Sequence, residues 1–522
     1  MMLRLILILF VFLTFSCNEK VSNEDLSIFR YNESAGISSL DPAFSKDQAN
    51  IWAVNQIFDG LVQLDDSLNV SPSIAKEWSI SDDGLSYRFY LRNDVYFHNH
   101  KLFKSKKDRR VTAKDFEYSF NRLLDPETAS PGVWVLSNVN SYEAINDTIF
   151  EINLQQPFPP FLGLLSMPYC FVVPERIIEN NQFLKNPIGT GPFKFQYWKR
   201  NVKLVFRKNN EYFEKGLPFL DAVAITFIKD KQTAFLEFLK GKIDFISGID
   251  ASYKDEVLTK DGKLKTFYED KLNFYTQPYL NTEYLGFLMD DDSPNSINIS
   301  IRKAINYGFD RKKMIRYLRN NIGTPAEFGF IPMGLPSFTS KIKGYNYQPD
   351  LAKKLIADAN LPSDHKIILS TTSSYLDICE FIQGEMKEHG LSLEISINPP
   401  STHRQMVATS KLSFFRGSWI ADYADAENYL ALFYSKNHCP NGPNYTHFSN
   451  KEFDDLYELA VKENSLIVRQ ELYQKMDQLI LDNAPIVPLY YDKVLRFVQK
   501  DVSGLQANAM NSLKLKYVQK LN

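Results

Sequence analysis

The chain switches repeatedly between two hydrophobic periodicities, and that alternation limits its fold more than any other feature. Period-2 runs read as strands at residues 28–31, 87–91, 148–154, 193–197, 203–207, 243–246 and 284–288. Helical spacing occupies residues 49–61, 112–124, 230–240, 301–309, 310–318 and 350–359. Further on, strands over 366–370 and 391–397 flank a helix near 375–389, and a long amphipathic helix covers 466–481. Strands and helices mixed in this way, without a strict repeat, specify an α/β chain of several lobes. At 522 residues the chain is too long for one core, so two or three domains are expected.

Local signals mark the element ends. Thr112-Ala-Lys-Asp115 reads as a helix start with a capping pair, and Asp125-Pro126 ends that helix. Asp230 caps a helix that Gly241 stops, and Pro349 opens another. Ser449-Asn-Lys-Glu452 reads as a capping box, and Pro485 and Pro488 bracket a final strand over 487–498. Asn186-Pro-Ile-Gly-Thr-Gly-Pro192 is a Gly/Pro-rich turn suited to a crossing between domains. Its Gly-Thr-Gly is no dinucleotide fingerprint, because Pro192 and a strand follow where a helix should begin.

The first 17 residues read as a secretory leader: Arg4, an apolar run from Leu5 to Phe15, then Thr14-Phe-Ser-Cys17. The run is too short to span a bilayer stably. A Cys directly after a small residue resembles the bacterial lipobox, although Thr14 stands where an aliphatic residue is usual. On that resemblance Cys17 carries acyl chains that tether an otherwise soluble protein. The remaining Cys170, Cys379 and Cys439 allow at most one disulfide and show no metal spacing. A net charge of −2 gives no global field for nucleic acid.

Catalytic signatures are missing: no nucleophile elbow, zinc-protease His-Glu pair or P-loop occurs. His98 and His100 sit in a polar loop without a third ligand. His438, Cys439 and His447 form a thinner metal candidate and read as loop residues. The basic run Lys104 to Arg110 reads as a solvated face.

One segment is chemically distinctive: Ser413-Phe-Phe-Arg-Gly-Ser-Trp-Ile-Ala-Asp-Tyr423. A strand leads through Gly417 and Ser418 to Trp419, Asp422 and Tyr423. A carboxylate just past a buried strand must find a cation or hydrogen-bond donors. On the residues alone, Asp422 serves either a structural ion pair beside a core tryptophan or a ligand.

Five stretches together resemble the extracytoplasmic solute-binding proteins of family 5, the peptide- and nickel-binding lipoproteins of ABC importers. They are Ser39-Leu-Asp-Pro42, residues 111–126, Gly189-Thr-Gly-Pro-Phe193, Gly241-Lys-Ile-Asp244 and residues 301–311. The resemblance implies a type II periplasmic-binding fold, with two lobes around a ligand cleft plus an extra third domain. It implies lobe I from 18–50, 187–280 and 491–522, the additional domain from 51–186, and lobe II from 281–490. In peptide-binding members the aspartate of a Trp-x-x-Asp motif receives the ligand's α-ammonium, and Trp419-Ile-Ala-Asp422 matches it. An arginine three residues before the tryptophan can meet a short peptide's carboxylate, and Arg416 falls there. Gly417, Ser418, Gly36 and Ile37 would pair with ligand backbone, as in strand addition. Tyr423 belongs to the same site, and Trp134 would cover the ligand.

The implied protein is an extracytoplasmic, lipid-anchored monomer with no cofactor and no catalysis. It would bind oligopeptides and deliver them to an ABC permease. A nickel chelate, haem, glutathione or an oligosaccharide is the alternative ligand, and a secreted hydrolase the alternative of another class.

Overall fold

A computed structural model describes residues 26–250, 253–289, 297–362 and 366–521. The expected leader and Cys17 lie outside the described residues. Ten strands join into one sheet in the order Leu393–Ile397, Ile367–Thr371, Phe414–Ile420, Leu272–Phe287, Ile486–Gln499, Phe245–Ser247, Ile28–Asn32, Ala222–Thr226, Lys203–Lys208 and Phe193–Lys199. The short strand Thr324–Pro325 adds to Ile486–Gln499 beside this path.

Two long antiparallel strands at the centre carry the chain between the halves of the sheet. Leu272–Phe287 has 16 residues and Ile486–Gln499 has 14, paired from Leu272↔Gln499 to Gly286↔Ile486. Their register slips between Pro278 and Thr282, opposite Lys493 and Tyr491. Pro278 has no N–H to donate, so an irregularity at this point is expected. The sequence signal marked only residues 284–288 of the first of these strands. Thr276, Gln277 and Pro278 are exposed in a row, which hides the alternation of its first half.

Residues 51–186 build a separate four-stranded antiparallel sheet, Ala75–Ile80, Ser86–Leu91, Ile149–Leu154 and Val139–Asn146. Helix Ala113–Leu124 covers it, with Phe116 and Phe120 set 5.9 and 5.5 Å from Phe150 between ring centroids. Asp115 accepts from the Thr112 N–H at 2.7 Å and its hydroxyl at 2.9 Å, fixing the helix start. The segment has no core of its own: Trp52, Phe89 and Phe150 belong to one apolar cluster with Phe29, Leu204, Val223 and Val518. The opposite half of the sheet carries further cores, one around Tyr284, Phe330 and Phe433, another around Phe287, Ile305 and Phe414.

The Gly-Thr-Gly turn joins these parts. The Gly191 N–H donates to the Ile57 carbonyl at 2.7 Å, and a Cβ on Gly189 would stand 2.2 Å from that oxygen. Only glycine permits so close a backbone approach. Thr190 Oγ1 donates to Asp59 Oδ2 at 2.9 Å. His98, expected in a polar loop, is buried against the same turn, its Nε2 3.0 Å from the Gly191 carbonyl. Burial drives its pKa down to about 3, so it stays neutral.

The helix expected to start at a Ser449–Glu452 box runs Lys451–Ala460, and Asn450 is its cap, accepting from the Phe453 N–H at 3.0 Å. Asn and Ser cap equally well, and here the asparagine wins by one residue.

Candidate functional site: the cleft beside Asp422

Strand Phe414–Ile420 pairs along its length with Leu272–Phe287, from Phe414↔Phe287 to Ile420↔Asn281. Its other edge meets Ile367–Thr371 at a single position among the described residues, Ser370↔Phe415. The backbone of residues 417–420 therefore meets no strand on that side among the described residues, the condition that strand addition needs, while the Arg416 carbonyl is taken by the His403 ring at 2.8 Å. Gly417 lets this strand lie against Tyr284, whose ring would be 2.6 Å from an added Cβ.

Past the strand, Ala421 N–H donates to Leu280 O at 2.9 Å and the chain turns into the short helix Glu427–Leu430. Asn428, on that helix, is buried and holds the motif together. Its Oδ1 accepts from Trp419 Nε1 at 2.9 Å and from the Asp422 N–H at 3.1 Å, and its Nδ2 donates to Asp422 Oδ2 at 3.4 Å. No cation stands within ion-pair distance of Asp422 among the described residues. The carboxylate keeps an open surface yet lies in a recess, and the loss of hydration there raises its pKa above the ordinary carboxylate value. The Asn428 hydrogen bond offsets part of that rise.

The recess is a cavity of about 500 Å³, within the range of roughly 300–1,000 Å³ that small-ligand sites occupy. Trp52, Tyr169, Phe171, Tyr212 and Tyr279 supply aromatic walls, and Ile420, Ala421 and Asp422 the side from the motif strand. Hairpin residues Gly60 to Leu68 and tail residues Met510 to Lys516 close it. The tail is held by Trp52 Nε1 donating to Asn511 O and Gln56 Nε2 donating to Leu513 O, both at 2.8 Å. Sequence reading missed both closing segments, because neither carries a motif and only tertiary pairing brings them to the motif strand.

Three lysines line the cavity. Lys514 pairs with Asp66 at 2.8 Å, and Lys516 with Glu214 at 2.7 Å. Lys46 is exposed, and its ammonium has no carboxylate partner among the described residues. Asp59, held by Thr190 and Tyr212 OH, has its pKa raised to about 6 by burial.

Of the site residues read from the sequence, Asp422 alone is among those lining this cavity. Trp419 is half-buried and turned toward Asn428. Tyr423 is buried, its hydroxyl donating to Glu427. Gly36 has φ +79° in the turn after the first strand, and the Ile37 side chain belongs to the core. Trp134 is 42% exposed in the turn Val133–Leu136. Arg416 ion-pairs with Glu283 and lies over the Tyr375 ring, 3.2 Å from its centroid. Its charge has a resident partner, so a free arginine waiting for a carboxylate is not what the fold provides. His447 Nε2 meets Ser410 Oγ and the Cys439 carbonyl, each at 3.0 Å. No cluster of three potential metal ligands occurs among the described residues. Cys170, Cys379 and Cys439 are all free and buried.

The family model for bacterial extracellular solute-binding proteins, family 5 (middle), matches residues 69–441. The chain belongs to that family. The family 5 protein is 24% identical over 539 residues to the dipeptide-binding protein DppE of Bacillus subtilis, covering 96% of this chain and 94% of that one. It is 26% identical to heme-binding protein A of Haemophilus influenzae, covering 83% of this chain and 81% of the relative. Among solved structures, the periplasmic binding protein DppA of Helicobacter pylori in complex with the peptide STSA superposes with a TM-score of 0.79 at 25% identity, covering 95% of this chain and 98% of that one. The fold is the type II periplasmic-binding architecture of these proteins, and the chain is a substrate-binding protein of the ABC-transporter class. Among the described residues no helix is long and apolar enough to cross a membrane.

Proposed function

We propose that this family 5 protein binds short peptides between its lobes and delivers them to an ABC permease, anchored to the envelope through Cys17. The observation that carries the reading is Asp422: a carboxylate in a recess, hydrogen-bonded on one side by Asn428 and without a cation among the described residues. A protonated α-amine supplies the missing charge. The open edge supports backbone pairing at Ser418, which gives affinity without reading side chains, whereas Gly417 turns its own backbone groups to Tyr284. Lys46, the lining lysine without a carboxylate partner among the described residues, suits the ligand's carboxylate end better than Arg416, which Glu283 already neutralises. The long central strands, with the slip at Pro278, suit a hinge between lobes 18–50, 187–280 and 491–522 on one side and 281–490 on the other, with 51–186 as the added domain. Contacts from both sides make closure dependent on ligand.

Relatives named for dipeptide, heme and glutathione binding share this family, so the ligand is the point to test. Mass spectrometry of small molecules released from the purified protein should find short peptides with free amino termini. Release of a tetrapyrrole or a metal chelate in stoichiometric amount would replace the peptide reading with one of the alternatives.

A further inference from the structure

The loop that presents Asp422 is held from behind by groups that never reach the cavity. Glu427 accepts from the hydroxyls of Tyr423 and Tyr457, and its own N–H donates to Asp425 Oδ1 at 2.9 Å. Asp425 pairs with Arg469 at 3.7 Å, and Tyr473 packs beside them. The helix Glu427–Leu430 is thus pinned to helices Lys451–Ala460 and Leu466–Asn483. From that helix, Asn428 hydrogen-bonds both Trp419 and Asp422 of the motif.

An asparagine offers an acceptor oxygen and a donor NH₂. Here the oxygen faces two N–H groups, Trp419 Nε1 and the Asp422 amide, while the NH₂ faces the Asp422 carboxylate. The reverse orientation would set donors against donors and an oxygen against a carboxylate. The network therefore has one solution, and that solution fixes both residues that define the motif. The other groups around Asp422 are the phenols of Tyr169, Tyr429 and Tyr445, and Asp47 lies near Tyr169; none is a cation.

We propose that Asn428 is the positioning residue of the amine site, orienting the Asp422 carboxylate and keeping it ionised by donating to it. The proposal rests on the reading of Asp422 as the amine acceptor. A hydrogen bond to the charged form favours that form. Without the amide, Asp422 would hold its proton to higher pH and lose its attraction for an ammonium group.

The discriminating variant is Asn428→Asp. It retains the acceptor for Trp419 Nε1 and the Asp422 N–H, but replaces the donor with a second carboxylate beside the first. Binding of Ala-Ala and of N-acetyl-Ala-Ala is measured by calorimetry from pH 4.5 to 7.5, for the parent and the variant. The parent should prefer the free amine, with affinity falling on the acid side as Asp422 takes up a proton. In the variant that acid limb should move up by about one pH unit or more, so affinity for the free amine on the acid side of both midpoints should fall about tenfold. Acetylated peptide should change little. A variant whose acid limb and free-amine affinity match the parent overturns the role of Asn428 while leaving Asp422 in place. A parent that does not prefer the free amine overturns the amine site itself. Should the variant not fold, the unaltered protein gives the answer. With selectively ¹⁵N-labelled asparagine, the Asn428 side-chain resonance should titrate with the midpoint of the acid limb; no shift across that range rejects the proposal.

Discussion

Arg416 and Glu283 lie diagonally across neighbouring strands, Glu283 being the register partner of Ser418, and their side chains form an ion pair that is nearly dry. Glu283 has 3% of its side chain exposed and Arg416 has 12%. Asn281 Nδ2 donates to Glu283 Oε1 at 3.1 Å, and the His403 ring lies 2.8 Å from the Arg416 carbonyl. The pair holds the motif strand to the long central strand. Removing one member leaves a buried charge, which costs about 3–5 kcal/mol. Arg416→Ala should therefore lower unfolding stability by roughly that amount, read by denaturant titration. A loss below about 0.5 kcal/mol, typical of a surface site, would mean that the arginine is held for the ligand instead.

Lys46 should read the ligand's negative end. Lys46→Gln is expected to weaken binding of a free-carboxylate dipeptide by up to about fivefold, the scale of an exposed pair near 1 kcal/mol. The C-terminally amidated peptide should bind the parent and the variant alike. Equal losses for both peptides would show that Lys46 does not meet the carboxylate.

The two turn glycines should tolerate no side chain. Gly189→Ala drives a Cβ into the Ile57 carbonyl at 2.2 Å, so a loss of about 1–3 kcal/mol is expected, as overpacking costs. Gly36→Ala is the comparison, because a Cβ there meets nothing within 4 Å; only its positive φ should count against it. Thermal melting distinguishes them, and equal melting points would contradict the close approach.

Much of this architecture was legible because local signals agreed with the tertiary outcome. The caps at Thr112 and Asp230, the long helix read over 466–481 and the period-2 runs reappear as elements. The motif strand was visible through Trp419 and Asp422. What was hidden depends on partners distant in sequence. Arg416 reads as an available cation until Glu283 is placed diagonally across from it. Asn428 is one of several polar residues in a short acidic segment, six positions beyond Asp422, and only its three hydrogen bonds reveal its part. The cavity wall from Met510 to Lys516 lies some 90 residues past Asp422 and carries no periodic signal. His98 read as a loop residue because burial by the Gly-Thr-Gly turn leaves no local trace.

Glu427 should make stability fall as pH rises. Burial raises its pKa from the ordinary 4.5 to about 7, the Tyr423 and Tyr457 hydroxyls offsetting part of the rise. Between those values the folded chain holds a proton that the unfolded chain has released, so unfolding free energy decreases with pH. The loss spans pH 4.5 to about 7 and amounts to about 3 kcal/mol at most. Glu427→Gln should reduce the slope by this share, with urea unfolding at pH 5 and pH 7.5 as the check. An unchanged slope in the variant would place the titrating group elsewhere, Asp477 being the next buried carboxyl with a pKa near 7.

The amine site is the centre of the account, and calorimetry of parent and Asp422→Asn with Ala-Ala and N-acetyl-Ala-Ala at pH 7 tests it most directly. The parent should bind the free peptide, and acetylation or the substitution should each cost about 2–5 kcal/mol, the scale for one member of an enclosed charge pair. The two losses together should not exceed either alone, because both remove the same ion pair. Equal affinity of the parent for both peptides, or an Asp422→Asn variant that binds as well as the parent, would contradict it.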